Sequence, residues 1–164
     1  MIGFDAAIWL IDEAVTPLAA ETVALADASG RILAEPLLAR ADAPRVPVAA
    51  MDGYAVCDAT TRPHEPLAII GESRAGCGFS GRVGAGQVVR IFTGAPMPEG
   101  ADRCIMQEYA RRDGDEVHFA DGYGPGWHVR AAGSDFVTGE QLLAAGARLT
   151  PRAMIAAAAA DVSQ

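Results

Sequence analysis

Short apolar runs separated by glycine fill the middle of this sequence, and runs of this length favour strands over helices. Leu67–Ile70 and Val88–Phe92 are bounded by glycine and rich in aliphatic residues, which is typical of strands. The turn Arg112–Asp115 contains Asp-Gly and separates Cys104–Ala110 from Glu116–Phe119. Because Asp-Gly adopts the positive φ that tight hairpin turns require, this pattern predicts a β-hairpin. The middle of the chain is therefore predicted to be rich in β-structure.

Helical patterns lie near both ends of the chain. An apolar stripe at helical spacing predicts an N-terminal helix that ends at Thr16-Pro17. The members of this stripe are Phe4, Ala7, Ile8, Ile11 and Val15. A shorter helical pattern covers Leu25–Leu38 and is broken at Ser29-Gly30. Near the C-terminus, Thr150 as N-cap and Pro151 at the first helical position predict a last helix.

Proline and glycine residues predict the structure of the segments between these patterns. Ala41–Pro47 holds two prolines and is predicted to be an extended loop. Leu142-Leu143 and Leu149 follow glycine-rich turns and are predicted strands. The last helix reaches Gln164 after about three turns without a glycine stop signal. We therefore expect this chain to be a portion of a longer protein.

The order of these patterns predicts an α+β fold. Residues 50–125 are expected to form a β-rich, barrel-like lobe, inserted into a discontinuous helical and mixed lobe made of residues 1–49 and 126–164. A chain of 164 residues is long enough for one ordinary domain or for two small lobes that share a core. The hydrophobic content of 51% and the charged content of 21% exclude an intrinsically disordered chain.

The composition excludes several classes of function. Twenty-one acidic and thirteen basic residues give a net charge of −8, so we expect no nucleic-acid partner, which would need a basic face. All thirteen basic residues are arginine, which excludes a lysine Schiff base and a P-loop lysine. No apolar run is long enough for a membrane span, so we expect no membrane association. Three widely spaced cysteines and the lack of a signal peptide predict a reduced, cytoplasmic protein.

Familiar nucleotide, zinc and protease motifs are missing or out of context. Gly76–Gly81 matches the GxGxxG pattern of dinucleotide-binding folds. That pattern must open a helix, whereas Arg82–Gly86 adds more glycine before a β-branched run, so we expect a turn here. The histidines His64, His118 and His128 and the cysteines have no recognised zinc spacing, and no nucleophile elbow supports Ser-His-Asp catalysis.

Three turns carry polar groups that are suited to a site. Asp52 lies within Met51–Tyr54, Thr93 opens Thr93–Gly100 directly after a predicted strand, and Gly133–Asp135 presents a further acid. Taken alone, each turn is better explained as an Asx-turn or a strand-end turn. The residues alone therefore leave a functional and a structural interpretation open.

Five stretches resemble, in order along the chain, the motifs of the MoeA family, the molybdopterin molybdenumtransferases, which includes the C-terminal domain of gephyrin. They are Gly30-Arg31 followed by Ala34-Glu35, Ala50–Val56 (AMDGYAV), Arg90–Glu108 (RIFTGAPMPEGADRCIMQE), Gly126–Phe136 and Ala145–Pro151 (AGARLTP). The resemblance covers essentially the whole chain. It implies an elongated multi-domain homodimer, of which this chain is the N-terminal portion, before the molybdopterin-binding domain.

The resemblance also implies a chemistry and a set of site residues. In the family, molybdate is inserted with Mg²⁺ into the dithiolene of adenylylated molybdopterin, and AMP is released. By their motifs, Asp52, Thr93 and Asp135 fall on active-site positions that face the pterin-binding domain of the partner subunit. The two carboxylates are suited to Mg²⁺, and the threonine hydroxyl to phosphate or molybdate oxygens. Further substrate contacts are expected from Gly94, Ala95, Pro96 and Arg130.

The partners that the resemblance implies are a second copy of the chain and a molybdopterin-adenylating protein. Two departures from the family pattern stand near the implied site. Pro47–Ala49 replaces a polar Asp/Asn-Ser stretch, and His128 replaces the usual Asn before Val-Arg. Two hypotheses therefore remain open: the N-terminal portion of a molybdenum-insertion enzyme, or a non-catalytic dimerisation or interaction module from a diverged paralogue.

Overall fold

The computed structural model describes residues 2–16 and 18–164, and within these ranges it contains two α-helices and ten β-strands. The helices are α1 (Phe4–Ala14) and α2 (Pro151–Ala159). The strands are β1 (Leu37–Leu38), β2 (Val48–Ala49), β3 (Gly53–Val56), β4 (Leu67–Ser73), β5 (Gln87–Ile91), β6 (Arg103–Met106), β7 (Ala110–Asp113), β8 (Glu116–Phe119), β9 (Val129–Arg130) and β10 (Gln141–Leu143). None of the helices in the described ranges is long and apolar enough to cross a membrane.

Six strands form one mixed sheet in the order β6-β3-β5-β4-β8-β7. The pair β4–β5 is parallel, and the other neighbouring pairs are antiparallel. The sheet curls into a half-barrel. The predicted α+β class and its barrel-like β-rich part are thus confirmed.

Apolar clusters cover both faces of this sheet. Ala55 packs in one cluster with Val89, and Val56 packs in the other with Val88. All four residues of β3 are buried, since successive side chains enter opposite clusters. A strand buried on both faces shows no alternation of apolar and polar residues, which explains why the sequence did not predict β3.

The predicted strands over Leu67–Ile70 and Val88–Phe92 are confirmed as β4 and β5. The predicted hairpin is correct at its turn, where Gly114 has a φ of 60° and β7 pairs with β8. The prediction of its first strand was wrong, because Cys104–Ala110 is not one strand. Residues 103–106 form β6, which pairs with β3, and a single 3₁₀ turn at Gln107–Tyr109 separates it from β7.

The GxGxxG segment lies in the connection between β4 and β5 and forms a turn, as predicted. Arg74 and Cys77 form an isolated bridge around Gly76, which has a φ of 76°. Gly81 packs against Phe79, since a Cβ there would lie 2.6 Å from the Phe79 ring and would displace it. No helix follows that could hold a pyrophosphate, within the residues the structure describes.

The helical pattern within Leu25–Leu38 is broken at Ser29-Gly30, as predicted, but little of it is helical. Only Leu25–Asp27 is helical, as a single 3₁₀ turn, and the segment ends in β1, which pairs with β10. Pro36 and Gly30 explain this outcome, because neither residue supports a helix interior. The predicted strand at Leu142-Leu143 is confirmed, whereas Leu149 lies outside any strand and is buried beneath α2.

Helix α2 begins and ends on recognisable caps. Thr150 accepts a hydrogen bond from the Ala153 amide at 3.3 Å, and Pro151 is the first helical residue, as predicted. No glycine ends the helix, as expected, but the helix ends at Ala159 and does not reach Gln164. Asp161 adopts a φ of 63°, and the Val162 amide donates to the Ala157 carbonyl at 3.0 Å, which is a Schellman motif with Asp in place of Gly.

Helix α1 contains no buried residue. Its predicted apolar stripe is present, but Phe4 is 80% exposed and Trp9 is 62% exposed. The helix ends at Ala14, slightly before the predicted Thr16-Pro17, and Pro17 lies outside the described residues. This face is therefore available for an interaction.

Two ribbons join the early and late parts of the chain: β1 with β10, and β2 with β9. They bring residues 37–49 against residues 129–143. The assignment of residues 1–49 and 126–164 to one lobe and of residues 50–125 to another stays a prediction.

Candidate functional site

Strand β2 is the centre of the candidate site, because its backbone binds two of the flagged segments. On one side, the Ala49 amide donates to the Ala95 carbonyl at 2.9 Å, and the Gly94 amide donates to the Ala49 carbonyl at 2.8 Å. On the other side, β2 pairs with β9, so that Val48 lies opposite Arg130. Successive backbone groups of a strand point in opposite directions, so β2 holds the Thr93 loop and the Arg130 strand on its two sides.

Asp52 and Thr93 are in direct contact. The Thr93 amide and the Thr93 hydroxyl both donate to Oδ1 of Asp52, each at 2.7 Å. Register explains the contact: Gly53 lies opposite Ile91 in the β3–β5 pair, so the residues just beyond these strand ends meet. Among the described residues, no group donates to Oδ2 of Asp52, which leaves that oxygen for a ligand.

The Thr93 contacts also fix the charge of Asp52. The Thr93 amide contributes most, followed by the Thr93 hydroxyl, and together they hold the pKa of Asp52 below its ordinary value. The positive charge of Arg90 acts in the same direction, while partial burial opposes it. Asp52 is therefore ionised at neutral pH.

Gly94, Ala95 and Pro96 form the support beneath Thr93. Gly94 has a φ of 80°, and its amide donates to Ala49. The Ala95 amide donates to Phe92 at 2.9 Å, and Pro96 has no amide hydrogen. Their backbone donors are thus used within the chain. A substrate contact by these three residues stays a prediction, and it would not use those amides.

Asp135 pairs with Arg130 at 2.5 Å between Oδ1 and Nη2, and both side chains are about half exposed. The loop of Asp135 is anchored to the proline-rich segment, because the Asp135 amide donates to Ala43 at 2.8 Å. Gly133 is required in this loop: its φ is 68°, and a Cβ would lie 2.8 Å from a methyl group of Val137.

A second Asp-Thr pair, which the sequence did not reveal, fastens the same loop. The amide and the hydroxyl of Thr138 donate to Oδ1 of Asp42 at 2.8 and 2.7 Å. The Thr138 hydroxyl first, and its amide second, lower the pKa of Asp42. Asp42 therefore repeats the geometry of Asp52 on the other side of β2.

The two acids that were predicted to hold Mg²⁺ lie in separate pairs. The structure joins Asp52 with Thr93 and Asp135 with Arg130, but no hydrogen bond or ion pair among the described residues links the two pairs. These residues also contain no cluster of three or more metal-binding side chains. Mg²⁺ is commonly held by one or two carboxylates together with water and substrate phosphates. The free Oδ2 of Asp52 fits such a shared site, and the chain offers no complete cage of its own.

Two surface grooves lie away from these residues. One of about 520 Å³ lies along β7 and β8 beside His64 and His118, and one of about 330 Å³ lies beside Arg90 and Arg112. Neither is lined by Asp52, Thr93 or Asp135. The candidate site is thus an open surface rather than an enclosed pocket.

Comparison with known sequences decides the family. The sequence model described as "MoeA N-terminal region (domain I and II)" matches residues 2–160 of this chain. The chain belongs to the MoeA family.

Curated MoeA-family relatives match at similar levels. The molybdopterin molybdenumtransferase of Haemophilus influenzae is 34% identical over 143 residues, which cover 87% of this chain and 35% of that protein. The molybdopterin molybdenumtransferase of a Nostoc species is 36% identical over 149 residues, covering 88% of this chain and 34% of that protein. The chain thus spans about a third of the length of these relatives.

A solved structure shares the fold. The crystal structure of the molybdopterin biosynthesis MoeA protein from Pyrococcus horikoshii matches with a TM-score of 0.84 at 30% identity. The match covers 99% of this chain and 45% of that one. The chain therefore has the fold of a MoeA N-terminal region.

The structure explains both departures from the family pattern. Val48 and Ala49 are buried and act through their backbone, so this segment offers packing rather than polar side chains. His128 has a φ of 50°, and its carbonyl accepts from the Ala50 amide at 2.8 Å. Asn and His are both enriched in this left-handed region, so His128 keeps the backbone that an Asn would adopt.

Proposed function

We propose that this chain is the N-terminal part of an enzyme that inserts molybdate into adenylylated molybdopterin with Mg²⁺ and releases AMP. The names of the relatives support the reaction class. The observation that carries the proposal is the Asp52–Thr93 pair, since it holds an ionised carboxylate with one free oxygen at the surface where the MoeA motifs meet.

In this proposal Asp52 is the central group. Thr93 donates its amide hydrogen and its only hydroxyl hydrogen to Oδ1 of Asp52, so it orients Asp52 and keeps it charged. Oδ2 of Asp52 then accepts a hydrogen bond from the substrate side or contributes to Mg²⁺ binding. Mg²⁺, when bound, neutralises the charge of the substrate phosphates. Thr93 has no further hydrogen to donate to molybdate while it serves Asp52.

Arg130 and Asp135 are proposed to bind the anionic substrate. A guanidinium has five donor hydrogens, and the bond to Asp135 leaves others for phosphate or molybdate oxygens. Asp135 sets the orientation of Arg130 and offers a second carboxylate for Mg²⁺. The open surface requires a further wall to exclude water, which in the proposal is the pterin-binding domain of the partner subunit.

A homodimer is the second part of the proposal. The exposed apolar side chains of α1 and its flanks support it, because a contiguous apolar surface of this kind marks an interaction site. These residues are Ile2, Phe4, Ile8, Trp9, Leu10, Ile11 and Val15. A second copy of the chain is the proposed occupant, and a molybdopterin-adenylating protein is proposed as a separate partner.

Release of AMP tests the proposal. The full-length protein that carries this region is incubated with adenylylated molybdopterin and molybdate, with and without Mg²⁺. The proposal requires AMP release that depends on both molybdate and Mg²⁺. The 164-residue chain alone should release none above background, because catalysis needs all reacting groups in one geometry. A full-length protein that is folded and inactive would instead support a dimerisation or interaction module.

A further inference from the structure

Arg90 makes contacts on β5 that connect it to the backbone around Asp52. Its Nη1 donates to the Gly53 carbonyl at 2.8 Å, and its Nη2 donates to Oε1 of Gln107 at 2.6 Å. The Gln107 amide in turn donates to the Asp52 carbonyl at 3.0 Å. The carbonyl groups of Asp52 and of the next residue are therefore both held, one through Gln107 and one directly.

The guanidinium of Arg90 is itself fixed by aromatic rings. It lies 4.6 Å from the ring centre of Phe92 and 5.2 Å from that of Tyr54. The strand that it holds packs closely against its neighbour, because a Cβ on Gly53 would lie 2.0 Å from the Ile105 carbonyl oxygen. A planar guanidinium makes two such directed bonds at once, whereas an ammonium group acts as a single point charge.

We infer that Arg90 is a positioning residue for Asp52: it clamps the Gly53 carbonyl and Gln107 so that the Asp52 carboxylate meets Thr93. The inference rests on the proposed function, since it gives Arg90 a part in the site built on Asp52. The competing explanation is that Arg90 only stabilises the sheet by stacking on Phe92.

Arg74 provides a matched control. It stacks on the same Phe92 ring at 5.4 Å and pairs with Glu72, but it makes no hydrogen bond to Gly53 or Gln107. Replacing Arg74 removes a stacked arginine and leaves the backbone of Asp52 untouched.

The test is hydrogen exchange of the 164-residue chain, followed by NMR. The Thr93 amide reports its contact with the Asp52 carboxylate, and the Gln107 amide reports its contact with the Asp52 carbonyl. In Arg90→Lys and Arg90→Met we expect both amides to exchange about tenfold faster, as the loss of a hydrogen bond to a charged group implies. Arg74→Met should leave both unchanged.

Arg90→Lys is the decisive variant, because it keeps the positive charge and loses the pair of directed hydrogen bonds that the guanidinium donates to Gly53 and Gln107. Wild-type exchange of both amides in Arg90→Lys would overturn the inference and leave only a charge effect. If an Arg90 variant does not fold, as judged by loss of dispersion in its NMR spectrum, Gln107→Met replaces it. Gln107 is exposed, and its replacement removes one of the two hydrogen bonds that Arg90 donates. Gln107→Met must then make the Thr93 amide exchange faster, and unchanged exchange of that amide would overturn the inference. These readouts do not depend on turnover, so a failed proposed function would show separately as unchanged activity in Asp52→Asn.

Discussion

Thr93 donates both its amide and its hydroxyl hydrogen to one oxygen of Asp52, across 41 residues of sequence. This arrangement makes the pair more than a local turn, because an Asx-turn satisfies its carboxylate within neighbouring residues. The pair links the start of β3 to the end of β5, and it presents a charged group at the edge of the sheet.

The first prediction is a pH dependence at Asp52. Its pKa is lowered in the folded chain, so the stabilisation by Thr93 is complete above the ordinary value of 3.8 and is lost as the pH falls through the lower folded value. Asp52→Asn resembles the protonated acid. Melting curves of the wild type and Asp52→Asn should therefore converge as the pH falls below that value. A constant difference in melting temperature would contradict the assigned pKa direction.

The second prediction concerns Asp42. Asp42→Ala removes the acceptor of Thr138 and should loosen the loop that carries Asp135. Hydrogen exchange at the Gly133 and Asp135 amides should become faster, while the amides of β3 stay protected. Asp121→Ala is the control, because Asp121 is an exposed acid that bonds only His64. Equal exchange in the two variants would show that Asp42 does not hold the loop.

The third prediction concerns the dimer. The wild-type chain should elute and scatter light as a species of twice 17.0 kDa at high micromolar concentration. Trp9→Glu places a charge on the apolar face of α1 and should shift the equilibrium to the monomer. Ile32→Glu is the control, because Ile32 is 60% exposed and lies outside α1. A wild-type monomer at that concentration would contradict a dimer formed through α1.

The fourth prediction concerns His128. Because its φ is 50°, His128→Asn should preserve the melting temperature. His128→Val should lower it, since a β-branched residue in the left-handed region costs on the order of 1–2 kcal/mol. Thermal unfolding followed by circular dichroism measures both. Equal melting temperatures for the two variants would show that the left-handed backbone is not maintained in solution.

Local signals in the sequence predicted the elements that depend on local interactions. Helix α2 was predicted from Thr150 and Pro151, since capping and proline placement act within one turn. The hairpin turn at Gly114 was predicted because a positive φ favours glycine. Beyond the predicted break at Ser29-Gly30, the weak helical pattern within Leu25–Leu38 is replaced by β1, because pairing with a distant strand, β10, outweighs a weak local preference.

The candidate site was predicted only residue by residue. Asp52, Thr93 and Asp135 were flagged from their motifs, but their pairing depends on strand register, which a single sequence does not specify. Asp42 was missed because its partner, Thr138, lies 96 residues away. Arg90 was not singled out because an arginine within a strand is ordinarily a solvated residue, and its contacts arise only when β3, β5 and Gln107 meet.

The central claim is that Asp52 acts in the reaction rather than in the fold, and the rate of AMP release by full-length Asp52→Asn tests it most directly. The rate is normalised to the folded fraction measured on the same preparation. Loss of a charge placed at a reacting centre predicts a rate per folded molecule lower by about 10²–10³, in addition to the loss of melting temperature that the weakened Thr93 contacts cause. A wild-type rate per folded molecule, accompanied by a lower melting temperature, would contradict the claim and leave Asp52 a structural residue.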